Sequence, residues 1–506
     1  MTLWSDIWSG FQVALSTTNL LYCFVGVFLG TFLGMLPGIG ALAAVSMLMP
    51  LTFYLEPTTA LVMLAGVYYG AEYGGSTSSI LLNLPGTPSN AVTCIDGYPM
   101  AQQGRAGVAL FTTTVASWVG GTIGILALFG LSPLIVSVAL AFGPAEYFSI
   151  MVFGLVAAST VTQDNPVKGL SMVMLGLLLG TVGTDINSGV VRYDLGFFEL
   201  YEGISFIAIA MGLFGVSEVI FSITESVHKP FNQAVTLRSM IPTRAEIRQA
   251  VLPVLRGAGI GGLFGSLPGT GPTLASFVGY AVEKRVAKDP SRFGKGAIEG
   301  IASPESANNA AAQTAFIPTL TLGIPGSSVM AVMMGALLIH GIAPGPQLMG
   351  EHPDLFWGLA ASFWIGNLLL LILNIPMIGL WIRVLQIPYR FLYPAVICLI
   401  CIGVYSVRAS TFDIGVVLLF GLIGYVLRLL RFELAPILIG FILGPMVEEN
   451  LRRAMLIYRG DFFEIILRPI SGTMLGVTAL ILVWTAWSAL RSRRAASGEP
   501  AVSVDD

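Results

Sequence analysis

Apolar stretches long enough to cross a bilayer follow one another along nearly the whole chain, and this restricts the fold to a polytopic helical membrane protein. Helical candidates cover residues 18–51, 57–70, 107–141, 145–161, 168–184 and 203–225. A second set covers 257–281, 315–342, 354–385, 388–407, 411–430, 433–447 and 468–490. The expected fold class is an all-α polytopic membrane protein of about 10–12 transmembrane helices plus broken or re-entrant ones. With 55% of 506 residues hydrophobic and 10% charged, a soluble core could not hide this much apolar surface. A formal net charge of −3 offers no basic face to a nucleic acid.

Two of these runs are broken in the same way. "GMLPGIG" (34–40) has a twin in "GSLPGTG" (265–271), and each is followed by an acidic residue among small ones: Glu72 in "YYGAEYGGSTSS", Glu305 in "IASPESANNAAA". "NLPGTPSNAV" (83–92) then answers "LGIPGSSVMAV" (322–332), "IDG" (95–97) answers "IHG" (339–341), and "LFGVSEVI" (213–220) answers "ILGPMVEE" (442–449). The same landmarks in the same order read as a duplication. On this alignment Glu72 and Glu305 are equivalent, and so are Asp96 and His340.

Charge suggests that the copies are inverted. The loop "FYLEPTT" after the first break has no basic residue, whereas "EKRVAKDPSRFGK" after the second has five. The expected organisation is membrane repeat 1 over 1–225, a cytoplasmic linker over 226–256, inverted repeat 2 over 257–450 and a periplasmic loop with one extra C-terminal span over 451–490. A polar tail over 491–506, disordered by composition and headed by three arginines, is expected in the cytoplasm. No signal peptide is read at the N-terminus. Residues 257–281 are expected as a half-depth hairpin turning at Pro268, while 34–40 reads equally as a hairpin tip or a kink. Arg452, Arg453 and Arg459 strain this scheme by falling on the periplasmic side, where Glu448, Glu449 and Asp461 offset them.

Breaks at bilayer depth leave amides and carbonyls without helical partners, which favour anions and cations respectively. The four breaks therefore outline a candidate substrate site: Pro37, Gly38, Gly40, Gly86, Thr87, Ser89, Asn90, Gly269, Thr270, Gly271, Gly326, Ser327 and Ser328, joined by Asn308 and Asn309 on the face of Glu305. Tight helix packing is the competing reading, favoured for one break alone but not for four in paired positions. Glu72 and Glu305 are ion-coupling candidates, each a Na⁺ ligand together with break carbonyls or a proton acceptor; structural carboxylates holding the breaks open fit them equally. Arg105, Asp164, Lys168, Asp185, Arg192 and Asp194 read as interfacial anchors. The three scattered histidines have no metal-ligand spacing, the four cysteines lie in apolar runs, and no phosphate-binding loop is present, so neither an enzyme nor a cofactor is expected.

These motifs, with "DGYPMAQQGRAG" (96–107), "GSLPGTGPTLASF" (265–277) and "GPMVEENLRRAMLIYRGD" (444–461), resemble the TctA family, the large membrane subunit of tripartite tricarboxylate transporters. The resemblance implies a carrier of the bacterial inner membrane, driven by Na⁺ or H⁺, importing citrate or other tri- or dicarboxylates. It implies two partners, a small four-span membrane subunit (TctB-like) and a periplasmic substrate-binding protein (TctC-like), and is compatible with a homodimer. Alternating access, elevator-like, is the expected mechanism, with helices in 107–161 and 355–407 as the static scaffold. The alternatives are an anion channel lined by half-helices and a membrane-embedded enzyme.

Overall fold

The computed structural model describes residues 3–36, 39–160, 166–185, 188–225, 235–385 and 389–496, and helix dominates them. Among these residues four helical segments are long and apolar enough to cross a membrane: Thr17–Met35, Pro88–Ala139, Pro353–Asn374 and Thr411–Leu429. Packing divides the chain into two compact units, Met1–Ala141 with Ile204–Leu429, and Phe142–Gly203 with Leu430–Asp506. Each unit draws on both halves of the sequence.

In the first unit we label α1 Thr17–Met35, α2 Gly40–Thr52, α3 Pro57–Leu82, α4 Ala91–Met100, α5 Ala106–Ala139 and α6 Arg244–Gly265. There follow α7 Gly271–Val286, α8 Glu299–Thr314, α9 Phe316–Leu322, α10 Ser328–Ile339 and α11 Pro353–Asn374. Helices α1 and α3 meet through glycines one turn apart. A Cβ on Gly26, Gly30 or Gly34 would stand 2.2, 2.3 and 2.3 Å from backbone atoms of Met63, Val67 and Ala71, and Gly66, Gly70 and Gly74 return the contact. Both sets of numbers rise together, so α1 and α3 run in the same direction. The chain between them must come back, and α2 is that return. "GMLPGIG" is therefore a reversal between two helices, not a kink in one; Pro37 and Gly38 themselves lie outside the described residues.

Helices α6 and α8 repeat this arrangement, with Gly257, Gly261 and Gly265 2.2, 2.0 and 2.4 Å from backbone atoms of Ser303, Ala307 and Ala311 by the same measure. The chain reverses over residues 266–270 and returns along α7. A capping box of Thr243 and Glu246 starts α6 thirteen residues before the apolar run. The hairpin arms are thus 22 and 16 residues, about 33 and 24 Å, and the end of the expected linker is helical. Residues 226–234 of that linker lie outside the description.

Helix α8 is the element that an apolar scan passes over. Its sequence, "EGIASPESANNAAAQT", is small and polar, yet residues 300–314 are all buried. It runs antiparallel to α3, since Ser76 meets Glu305 and Tyr68 meets Phe316, just beyond its end. Two further helices close the group. Helix α5 lays Gly120 and Gly124 on the backbone of Ser306 and Ala310 of α8, while α11 lays Gly366 on the Tyr69 side chain of α3, next to Asn367, to which Tyr73 donates. Helix α5 thus meets α8 backbone to backbone, whereas α11 meets α3 through the Tyr69 and Tyr73 side chains.

The packing also fixes a register between the halves. Gly34 matches Gly265, 231 residues later; Ala71 matches Ala311, left-handed Asn83 matches left-handed Gly323, and Gly86 matches Gly326, each 240 later. By that register Glu72 matches Ala312, and Glu305 matches Ala65. At that spacing Glu72 and Glu305 do not fall opposite one another, and Asp96 falls at Ala336 rather than His340. The two spacings differ by nine residues, which lie between α7 and α8.

The second unit contains helices Pro144–Thr160, Pro166–Gly180, Ala435–Ile457, Phe462–Leu467 and Pro469–Ala496, and a two-residue antiparallel ladder, Gly183–Thr184 with Val191–Arg192. Gly176 and Gly440 let Pro166–Gly180 and Ala435–Ile457 pack backbone to backbone. Arg192 pairs with Asp185 and Glu448, and Arg452 with the same two carboxylates, so Arg452 is held in a network; Arg453 pairs with Glu449. Asp164 lies outside the described residues.

Candidate functional site

The end of α3 places the first carboxylate. Counting the α1 register forward, Glu72 lies at the level of the first hairpin's tip, and it is 4% exposed. Helix α3 stops at Leu82 because Asn83 takes the left-handed conformation. The chain then folds back on α3, and glycine is required where it touches: a Cβ on Gly86 would stand 2.0 Å from the Gly34 carbonyl oxygen and 2.4 Å from the Gly75 Cα. Gly40, which opens α2, faces the Gly86 carbonyl.

This fold-back brings "TPSN" to Glu72. Thr87 donates to Glu72 Oε2 at 3.1 Å, and Ser89 donates to the same oxygen. The Thr87 hydroxyl also lies 2.7 Å from the Ser89 hydroxyl and 2.6 Å from Asn90 Oδ1, so one proton has three acceptors within reach. Asn90 passes the chain on, donating to Ser76 at 3.1 Å and to Glu305 Oε1 at 3.2 Å. Thr93 donates to the same Glu305 oxygen, and Ser76 and Ser117 donate to Oε2 at 2.7 and 3.3 Å. One continuous network thus joins both carboxylates through hydroxyls and an amide.

The two ends of this network differ. Glu305, fully buried, accepts four hydrogen bonds, two on each oxygen, which is the pattern that suits an ionised carboxylate. Glu72 accepts two, both on Oε2. Among the described residues neither carboxylate is ion-paired with Lys, Arg or His. Two buried carboxylates without a basic partner are costly unless a proton or a cation joins them.

The second break joins this centre from the other side. Gly323 ends α9 in the left-handed conformation, Gly326 lies against Ala315, and Gly271 at the start of α7 faces Ser327. Ser327 caps α10 through the Met330 amide at 3.4 Å. From α7, Ser276 donates to the Ser89 carbonyl at 2.9 Å, tying the second hairpin to the first break. Ser328, half-buried, opens α10. Thr270 turns back on its own hairpin, donating to the Phe264 and Leu267 carbonyls, and left-handed Gly269 completes that turn. Asn309 donates to the Glu305 carbonyl one turn earlier at 3.0 Å. Asn308 is the exception: it is fully buried and, among the described residues, neither amide atom has a hydrogen-bond partner. The antiparallel register of α3 and α8 brings it to the level of Glu72 and Tyr73.

Ser76, Thr93 and Ser117 carry the network but were not among the sequence candidates. Ser76 is one turn beyond Glu72 and Thr93 one turn beyond Asn90, so helical spacing alone pointed to them. Ser117 sits in the apolar run of α5, where nothing in the sequence marks it.

Comparison with known proteins places the chain. An uncharacterized 52.8 kDa protein in the TAR-I ttuC' 3' region of Agrobacterium vitis is 48% identical over 494 residues, 98% of both chains. An uncharacterized protein in the TAR-II ttuC' 3' region of the same organism is 53% identical over 234 residues, 46% of this chain and 97% of its own. No solved structure matches. The tripartite tricarboxylate transporter TctA family matches residues 20–439. The chain belongs to that family, whose members are membrane subunits of transporters rather than enzymes.

Proposed function

We infer that this subunit carries a tri- or dicarboxylate such as citrate across the bacterial inner membrane, by alternating access coupled to Na⁺ or H⁺. The observation that carries this reading is the pair of buried carboxylates, without basic partners, joined by one hydroxyl and amide network where the helix breaks meet. A cation or proton taken up at Glu72 neutralises buried charge, and a carboxylate substrate then meets the unpaired amides of the breaks and the free carboxamide of Asn308. Charge compensation couples the two cargoes: each lowers the cost of burying the other.

Two inverted-topology repeats are the arrangement in which the antiparallel α3 and α8 and the matched glycine registers find their simplest origin. Each hairpin would then contribute one side of the site and present it to opposite faces of the membrane in turn. In this reading α5 belongs with the helices that line the site, because Gly120 and Gly124 lie on the backbone of α8. The partners are a small TctB-like membrane subunit and a periplasmic TctC-like binding protein, and the C-terminal tail lies in the cytoplasm. An anion channel is disfavoured by the paired carboxylates, which would repel an anion unless first neutralised.

The site is tested by substrate protection. With the native cysteines replaced, Leu84→Cys and Ser328→Cys place one thiol at each break. In membranes containing both partners, citrate and other tri- and dicarboxylates are expected to slow maleimide labelling at both positions; protection at neither, or at one alone, contradicts a shared site.

A further inference from the structure

We propose that Asp96 is a positioning residue that sets the register of α4 along α8 and so holds Thr93 and Asn90 against Glu305. Asp96 is fully buried on α4. Its Oδ1 accepts the backbone amides of Gly294, Gly296 and Ala297, each at 2.8 Å, and its Oδ2 accepts the Tyr280 hydroxyl at 3.1 Å. Left-handed Gly294 and Gly296 shape the loop so that successive amides converge on one oxygen. A Cβ on Gly300 would stand 2.2 Å from Oδ2, so the cradle leaves room only for the carboxylate.

The attachment fixes a ruler. Along α4 the sequence positions 90, 93 and 96 rise while their partners on the other chain segment fall, from Glu305 to the amides of 294–297, so the two elements run antiparallel. Gly97, beside Ile301, keeps the two close between these points. A slip of one helical turn, about 5.4 Å, would carry Thr93 and Asn90 out of reach of Glu305. Asp96 touches neither carboxylate of the network; it acts through the helix. That Glu305 takes part in transport rests on the function proposed above, whereas the register does not.

The test reads the register without substrate or coupling ion. In the full chain, in membranes, Cys23, Cys398 and Cys401 are replaced so that Cys94, half-buried beside Thr93, remains as the thiol. Asp96→Asn and Asp96→Ala are expected to raise the maleimide labelling rate of Cys94 by about tenfold or more, the effect of losing one hydrogen bond to a charged group. If Asp96 acts by holding Thr93 in place, Asp96→Asn adds much less in a Thr93→Ala background than in the parent, while it adds in full to Glu448→Gln in the second unit. Should Asp96→Ala fail to fold, Asp96→Asn carries the test, and Tyr280→Phe is expected to shift the rate in the same direction. A rate within about twofold of the parent in the folded Asp96 variants, the scatter of an unrelated change, overturns the proposal. Full additivity with Thr93→Ala overturns it too. Because no transport is measured, failure of the site reading in the protection experiment leaves this result standing, and the reverse holds.

Discussion

Gly261 and Gly262 are neighbours on α6 that should respond to the same substitution with opposite signs. A Cβ on Gly261 would stand 2.0 Å from the Ala307 carbonyl oxygen, 2.7 Å from its carbon and 2.8 Å from its Cα. All three are backbone atoms of a buried helix, so no side chain can rotate away and α6 and α8 must separate. Such overpacking costs about 3 kcal/mol at the upper end of its range. Alanine recovers about 1 kcal/mol through helix propensity, leaving Gly261→Ala about 2 kcal/mol less stable than the parent. A Cβ on Gly262, or on Gly259, meets open space, so Gly262→Ala is expected to be neutral or stabilising by up to about 1 kcal/mol. Unfolding of the purified protein in mixed micelles, titrated with a denaturing detergent, measures both. Equal stability of the two variants would refute the claim that α6 and α8 meet backbone to backbone.

Asn308→Leu removes two buried amide atoms that have no partner among the described residues, so it is expected to stabilise the fold by about 1 kcal/mol while weakening substrate affinity at least about tenfold; a loss of stability with unchanged uptake affinity would show that the amide serves the fold instead. Asn367→Leu deletes bonds to the Tyr73 and Thr122 hydroxyls and the Trp118 carbonyl, 2.8 to 3.1 Å long, and should cost about 2–4 kcal/mol in the same unfolding assay.

How much of this was legible in the sequence depends on what each residue type encodes. Breaks at Pro268 and in "GMLPGIG" were readable because proline and glycine act locally, and the structure turns the chain at both. The direction of the turn came from elsewhere, from glycines every fourth residue in α1, α3 and α6, a spacing present in the sequence that became decisive only when matched to a partner. Helix α8 escaped the apolar scan because a helix enclosed by other helices on every side need not be hydrophobic where small residues allow close packing. Thr87, Ser89 and Asn90 were found as candidates because they sit at a break, and Thr87 and Ser89 reach Glu72 while Asn90 reaches Glu305. Ser117 was not, since a serine in a membrane helix usually bonds its own backbone, and only the packing of α5 on α8 turns it toward Glu305. The motif match paired Glu72 with Glu305, whereas the glycine contacts space the two halves by 240 residues there, because a motif match ignores insertions and helix packing counts every residue.

The central claim is that Glu72 couples ion entry to carboxylate entry. It is tested most directly by accumulation of labelled citrate, or of another tri- or dicarboxylate, in proteoliposomes holding the subunit with both partners, under an imposed Na⁺ or proton gradient. Parent protein should accumulate substrate only with one of these gradients. Glu72→Gln, which keeps hydrogen bonds from Thr87 and Ser89 but not the charge, should fold normally, lose gradient-driven accumulation and retain at most downhill flux. Gradient-driven accumulation by Glu72→Gln at the parent's level and ion dependence would contradict the account.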